Sequence, residues 1–144
     1  MDNFLWRLSM ALVTQAGPFS MFAEIDRTLS VIDGTLALTG SGFNVLLNEA
    51  SDPLCFRGDL PVSGRPVGST VLDVNAMVRR GYYTATVTRL VRSALAAPVG
   101  TGFLFAIEPQ VIEGMQIQTR DCIEIDGSVT AAGSALLVDF RVAE

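Results

Sequence analysis

The patterning of this chain predicts an all-β, mainly antiparallel fold, a β-sandwich or barrel-like domain with a short N-terminal helix. Two dipeptides, Asp33-Gly34 and Asp126-Gly127, each lie between stretches of alternating apolar residues, the strongest short-range signal of a hairpin. Between them the chain is rich in Val and Thr and punctuated by Gly and Pro, as a succession of short strands requires. Its 144 residues suit one domain with one core, residues 1–17 forming the helix or arm and residues 21–144 the β domain.

The helix is expected over residues 3–16. Asp2 or Asn3 can act as N-cap, Gly17 falls just past the last turn, and Pro18 follows it. Phe4, Leu5, Trp6, Leu8, Met10, Leu12 and Val13 leave almost no polar face, so this helix has to be buried, either on the domain's own core or as an arm on a neighbouring subunit. Arg7 interrupts the apolar run and no basic segment precedes it, so no leader is expected, and the run is too short to span a bilayer.

A two-residue loop at Asp33-Gly34 pairs Val31 with Leu36 and Leu29 with Leu38 on one shared face. Residues 48–68 contain Pro53, Pro61 and Pro66 with Gly58, Gly64 and Gly68, which is loop chemistry; a loop of that length is usually functional or bound by a partner. Residues 69–80 fit a helix capped by Ser69, or a strand that turns at Arg80-Gly81 to pair Val78 with Tyr83; their Val and Thr content favours the strand. Residues 82–92 are a strand on either reading, and Phe103 to Ile107 form another. The hairpin at Asp126-Gly127 pairs Ile117 with Leu136 and Met115 with Val138. Laid over the first hairpin, it matches Arg27 with Arg120, Ile32 with Ile125 and Gly40 with Gly133 besides the turn itself, a faint internal repeat.

The residues that are missing narrow the chemistry. Without histidine there is no Ser-His or Cys-His nucleophile and no imidazole ligand; without lysine there is no Schiff base. A pair of carboxylates could still work as acid and base, but Asp33 and Asp126 already have a turn to form. No enzymatic activity, cofactor or metal is therefore expected. Cys55 and Cys122, far apart and outside any metal-binding spacing, are expected as free thiols. With a net charge of −5 and no basic cluster larger than Arg79-Arg80, nucleic acid is not an expected partner.

Arg57-Gly58-Asp59, followed by Leu60, resembles the tripeptide of integrin-binding ligands, which present an arginine and a carboxylate at a loop tip. An ordinary turn with Gly58 at positive φ accounts for the same residues.

Hydrophobic residues make up 49% of the chain and charged residues 17%, against roughly 25% charged in an ordinary soluble domain. So few ions leave apolar surface either exposed or covered by other subunits. The expectation is a non-enzymatic structural subunit of a larger assembly that self-associates or joins other subunits. Its most specific form is a virion protein (capsid decoration, minor coat or tail component), found in the virion or otherwise in the cytoplasm. The interface candidates are Phe4, Leu5, Trp6, Leu8, Met10, Leu12 and Val13 in the N-terminal segment, with Arg57 and Asp59 in the long loop. The alternative is a small-ligand or carbohydrate-binding β module whose apolar excess lines a pocket.

Overall fold

The computed structural model describes residues 4–144, and every regular element among them is a β-strand. The chain divides into two compact units, Met1–Tyr82 and Tyr83–Glu144.

The first unit contains β1 (Trp6–Val13), β2 (Gly17–Pro18), β3 (Ile25–Asp33), β4 (Leu36–Gly40), β5 (Phe43–Leu47), β6 (Leu54–Arg57), β7 (Val62–Pro66) and β8 (Val71–Arg79). They form two antiparallel sheets, ordered β1-β8-β3-β6 and β2-β7-β4-β5. Leu29 and Val31 of the first sheet and Leu36, Leu38 and Val62 of the second meet in one apolar core.

The N-terminal helix is not formed. Trp6, Leu8, Met10 and Leu12 alternate with Arg7, Ser9 and Ala11, a period of two that fits a strand, and β1 runs antiparallel to β8 from Trp6↔Val78 to Val13↔Val71. Gly17 and Pro18 do not end a helix; they pair with Gly64 and Ser63. β1 lies at a sheet edge, where Leu12 is 60% exposed, so the segment is not wholly buried on the core of its own chain. The proposed caps Asp2 and Asn3 lie outside the described residues.

Asp33-Gly34 does turn the chain, with Gly34 at φ 97°, but the turn crosses between sheets and closes no hairpin. β3 pairs with β6 and β8, while β4 pairs with β5 and β7. The four leucine and valine positions therefore reach the same core from two sheets, which alternation alone cannot distinguish from one face of a ribbon. A Cβ on residue 34 would stand 2.8 Å from the Thr70 carbonyl oxygen, so the corner requires glycine twice over. Residues 48–68 are not one loop, since they carry β6 and β7. Residues 71–79 are a strand, but Val78 pairs with Trp6 and Asp26 and not with Tyr83.

The second unit contains β9 (Tyr83–Leu90), β10 (Ala94–Ala96), β11 (Thr101–Ala106), β12 (Gln110–Ile112), β13 (Met115–Ile117), β14 (Cys122–Ile125), β15 (Val129–Ala131) and β16 (Ala135–Val142). One sheet runs β14-β11-β16-β9, and β10-β15 and β12-β13 form two short ladders. Leu104, Ile112, Ile117, Ile125 and Ala135 are buried in its core. Gly127 has φ 85° and turns the chain as expected, yet Met115 and Ile117 pair with Ile112 and Gln110, and Leu136 pairs with Phe105 and Arg89. The second predicted hairpin is thus also a change of partner.

Candidate functional site

From Val71 to Val78, β8 would be uninterruptedly apolar but for Asp73 and Asn75, two positions apart and so on one face. The ladders set this face in rows: Arg7 and Arg27 flank Met77, Ser9 and Leu29 flank Asn75, and Ala11 and Val31 flank Asp73. Arg27 likewise shares the parity of Leu29 and Val31, which lead into the apolar core. The result is a polar upper end on an otherwise apolar interior.

Above these rows lies a cavity of about 570 Å³. Its lip is the segment after β1, where the Phe19 N–H donates to the Val62 carbonyl (2.8 Å) and the Phe22 N–H to that of Gly58 (2.8 Å). Gly64 makes this packing possible, because a Cβ there would come within 2.6 Å of the Phe19 ring. Gly58 is needed for a similar reason. Its N–H donates to the Ile25 carbonyl at 2.7 Å, and a Cβ would meet that same oxygen at 2.9 Å. The turn expected at Gly58-Asp59 is present, with the Leu60 N–H donating to the Arg57 carbonyl at 3.4 Å, but the φ of Gly58 is not positive, and it is the close backbone approach that calls for glycine.

Arg27 is the central group. Only 7% exposed, it donates from Nη1 to the Ser20 carbonyl (3.1 Å) and from Nη2 to Asn75 Oδ1 (2.7 Å). Its guanidinium lies 5.3 Å from the Phe19 ring, 5.7 Å from Phe22 and 5.3 Å from Phe56. Nε is buried with no protein acceptor. Burial weakens the proton affinity of this guanidinium and Asp73 partly restores it, but an arginine keeps its charge.

Asn75 passes the contact on, its Nδ2 donating to Asp73 Oδ1 at 2.9 Å. The Asp73 carboxyl is 1% exposed, and burial pushes it up to about 6 against the opposing pull of Arg27 and the Asn75 N–H. Arg7 completes the set, its guanidinium 5.8 Å and 5.9 Å from the Phe4 and Phe22 rings. Two fixed cations and one reluctant anion among aromatic rings give the cavity a net pull on anions. One carboxylate without imidazole or thiol is a poor donor set for a transition metal, and among the described residues no cluster of three or more acidic or cysteine side chains forms elsewhere.

In the second unit the buried carboxylate of Asp139 is already committed. It accepts from the Val99 and Gly100 N–H groups (both 2.9 Å) and from Arg141 Nη2 (2.8 Å). Burial alone would raise this carboxyl, but these donors outweigh it and hold it below the usual range.

Of the predicted interface residues, Leu12 and Val13 are among those that line the cavity, and the others lie outside its lining. Leu5, Met10 and Leu12 are exposed and Phe4, Trp6, Leu8 and Val13 half-buried, Val13 against the first unit's core. Arg57 is exposed and Asp59 half-buried. They pair with each other at 3.1 Å, and Asp59 also binds Arg80 at 3.2 Å, which holds its carboxyl well below the ordinary range. Cys55 and Cys122 are free, as expected, and both are exposed. The cavity residues Arg7, Arg27, Asp73 and Asn75 were missed in the sequence. Their signal was polar residues at inward parity within apolar strands.

The HutD family profile matches residues 1–137. The chain belongs to the HutD family. A 21.2 kDa protein from the hutC 3′ region of Pseudomonas putida is 30% identical over 138 residues, covering 89% of this chain and 72% of that one. Protein Ves of Cronobacter sakazakii is 32% identical over 80 residues, and there the chain spans only 44% of the relative's length. The structure of HutD from Pseudomonas fluorescens SBW25 in a formate condition superposes with a TM-score of 0.86 at 27% identity over 99% of this chain and 82% of that one. These fold neighbours are cupin-like. HutD membership overturns the expected virion role and virion location, since the relatives are bacterial HutD and Ves proteins and no coat or tail component.

Proposed function

We propose that this HutD protein is a non-enzymatic regulatory protein of histidine utilisation that binds a small organic carboxylate in the cavity of its first unit. The observation that carries the reading is Arg27, buried to 7% exposure at the cavity wall with an Nε–H that no protein atom accepts. A buried donor without an acceptor is costly, and a ligand carboxylate would relieve it with a charge-assisted hydrogen bond. Arg7 adds a second cation, and the phenylalanine rings suit an apolar ligand body. The formate condition of the Pseudomonas fluorescens HutD structure is in keeping with a carboxylate, and the family supports the regulatory setting. The strand order within the first unit, with two four-stranded sheets sharing one core, supports a cupin-type sandwich as the scaffold.

Titration calorimetry with formate and benzoate, set against their neutral amides, tests this. The carboxylates bind and the amides do not. Arg7→Gln and Arg27→Met each weaken carboxylate binding by about ten-fold or more, as loss of a charged hydrogen bond predicts. Equal binding of benzamide and benzoate, or full affinity in both variants, overturns the proposal.

A further inference from the structure

Among the residues lining the cavity, Arg7 on β1, Arg27 on β3 and Asp73 on β8 are the charged ones. The lip contributes Thr14, Gln15 and Ser20, which are polar but carry no charge. Asp73 reaches Arg27 through Asn75, by links of 2.9 Å and 2.7 Å. Its carboxylate therefore shares the cavity with an incoming anion while remaining only partly neutralised.

We infer that Asp73 sets the charge the cavity accepts: a carboxylate ligand enters together with a proton, which Asp73 takes up. This rests on the carboxylate-binding reading and deepens it. An anion seated against Arg27 Nε spends part of the positive field that stabilises ionised Asp73 and adds a like charge inside a buried space, and both effects favour the neutral carboxyl. The proton comes from solvent and resides on the Asp73 carboxyl; no covalent bond to the ligand forms. Linkage then works in both directions, so protonation of Asp73 tightens anion binding as much as the anion tightens proton binding. Burial already places this carboxyl at about 6, where the uptake falls near neutral pH.

The test uses the intact chain with formate, which stays ionised throughout. Affinity should fall about ten-fold between about pH 5 and about pH 8. Calorimetry at about pH 7 in two amine buffers of different protonation enthalpy should report uptake of a fraction of a proton per formate bound. Asp73→Asn should abolish both signatures and bind formate at about pH 8 as tightly as the parent does at about pH 5. The buffer measurement needs no variant and stands even where Asp73→Asn folds poorly. Formate binding that is independent of pH and takes up no proton overturns the role of Asp73 and leaves the carboxylate site intact. Failure of formate and benzoate to bind at any pH instead overturns the site itself.

Discussion

The two units solve the same topological problem and use the interior differently. Counted from its own first strand, each has a sheet ordered first, eighth, third, sixth: β1-β8-β3-β6 in one and β9-β16-β11-β14 in the other. In the first unit the inward face of the eighth strand reads Val71, Asp73, Asn75, Met77; in the second the corresponding face reads Ala135, Leu137, Asp139, Arg141. One polar pair faces a cavity and leaves Arg27 Nε open, while the other is closed by Val99, Gly100 and Arg141. The lesson is that the strand order supplies a container and a few inward positions decide whether it is filled or receptive.

Substitutions at those positions should have opposite signs in the two units. The largest effect is expected from Leu104→Ala in the second unit, where a side chain at 1% exposure leaves a void in a filled core. It should cost about 2–5 kcal/mol in denaturant unfolding. Next is Asp73→Asn in the first unit, which should stabilise. The native carboxyl titrates at about 6 and the unfolded one near 4, so the native state holds the extra proton between these values and stability falls as pH rises through the window. Above about pH 6 the variant should exceed the parent by about 2–3 kcal/mol, and below about pH 4 the two should coincide in thermal scans across pH. A variant less stable than the parent at every pH would place Asp73 with Asp139 as a purely structural carboxylate. The smallest effect is expected at the surface: Arg57→Ala removes an exposed ion pair and leaves Asp59 with Arg80, so the melting temperature should not move measurably.

The β class was legible because alternation survives at Leu29, Val31, Leu36 and Leu38 and because Gly34 and Gly127 stand at positive φ where the Asp-Gly signal put them. Partners were not legible. A two-residue turn that closes a hairpin and one that carries the chain to a facing sheet share the same local chemistry, and only long-range pairing separates them. The apparent repeat failed for the same reason. Asp33-Gly34 joins a third strand to a fourth and Asp126-Gly127 a sixth to a seventh, so matching them aligns unlike corners, whereas the real correspondence lies in strand order. The N-terminal segment misled because Gly17-Pro18 imitates a helix stop and Leu5, Ala11 and Val13 blur the two-residue period. The cavity was half legible: Asp73 and Asn75 inside Val71 to Val78 are conspicuous once the strand is accepted, but the open Arg27 Nε and the room left by Gly64 exist only in three dimensions.

The aromatic enclosure of Arg27 limits what this position could become. A guanidinium is a flat plate that can rest against the rings of Phe19, Phe22 and Phe56 while its edge still offers N–H groups in the plane. Lysine would bring the same charge as a strongly hydrated sphere, with no face to lay on the rings and no fork to divide between Ser20, Asn75 and a guest. The pocket's cation is in this sense a shape as much as a charge, and a chemically conservative exchange here would be a radical one.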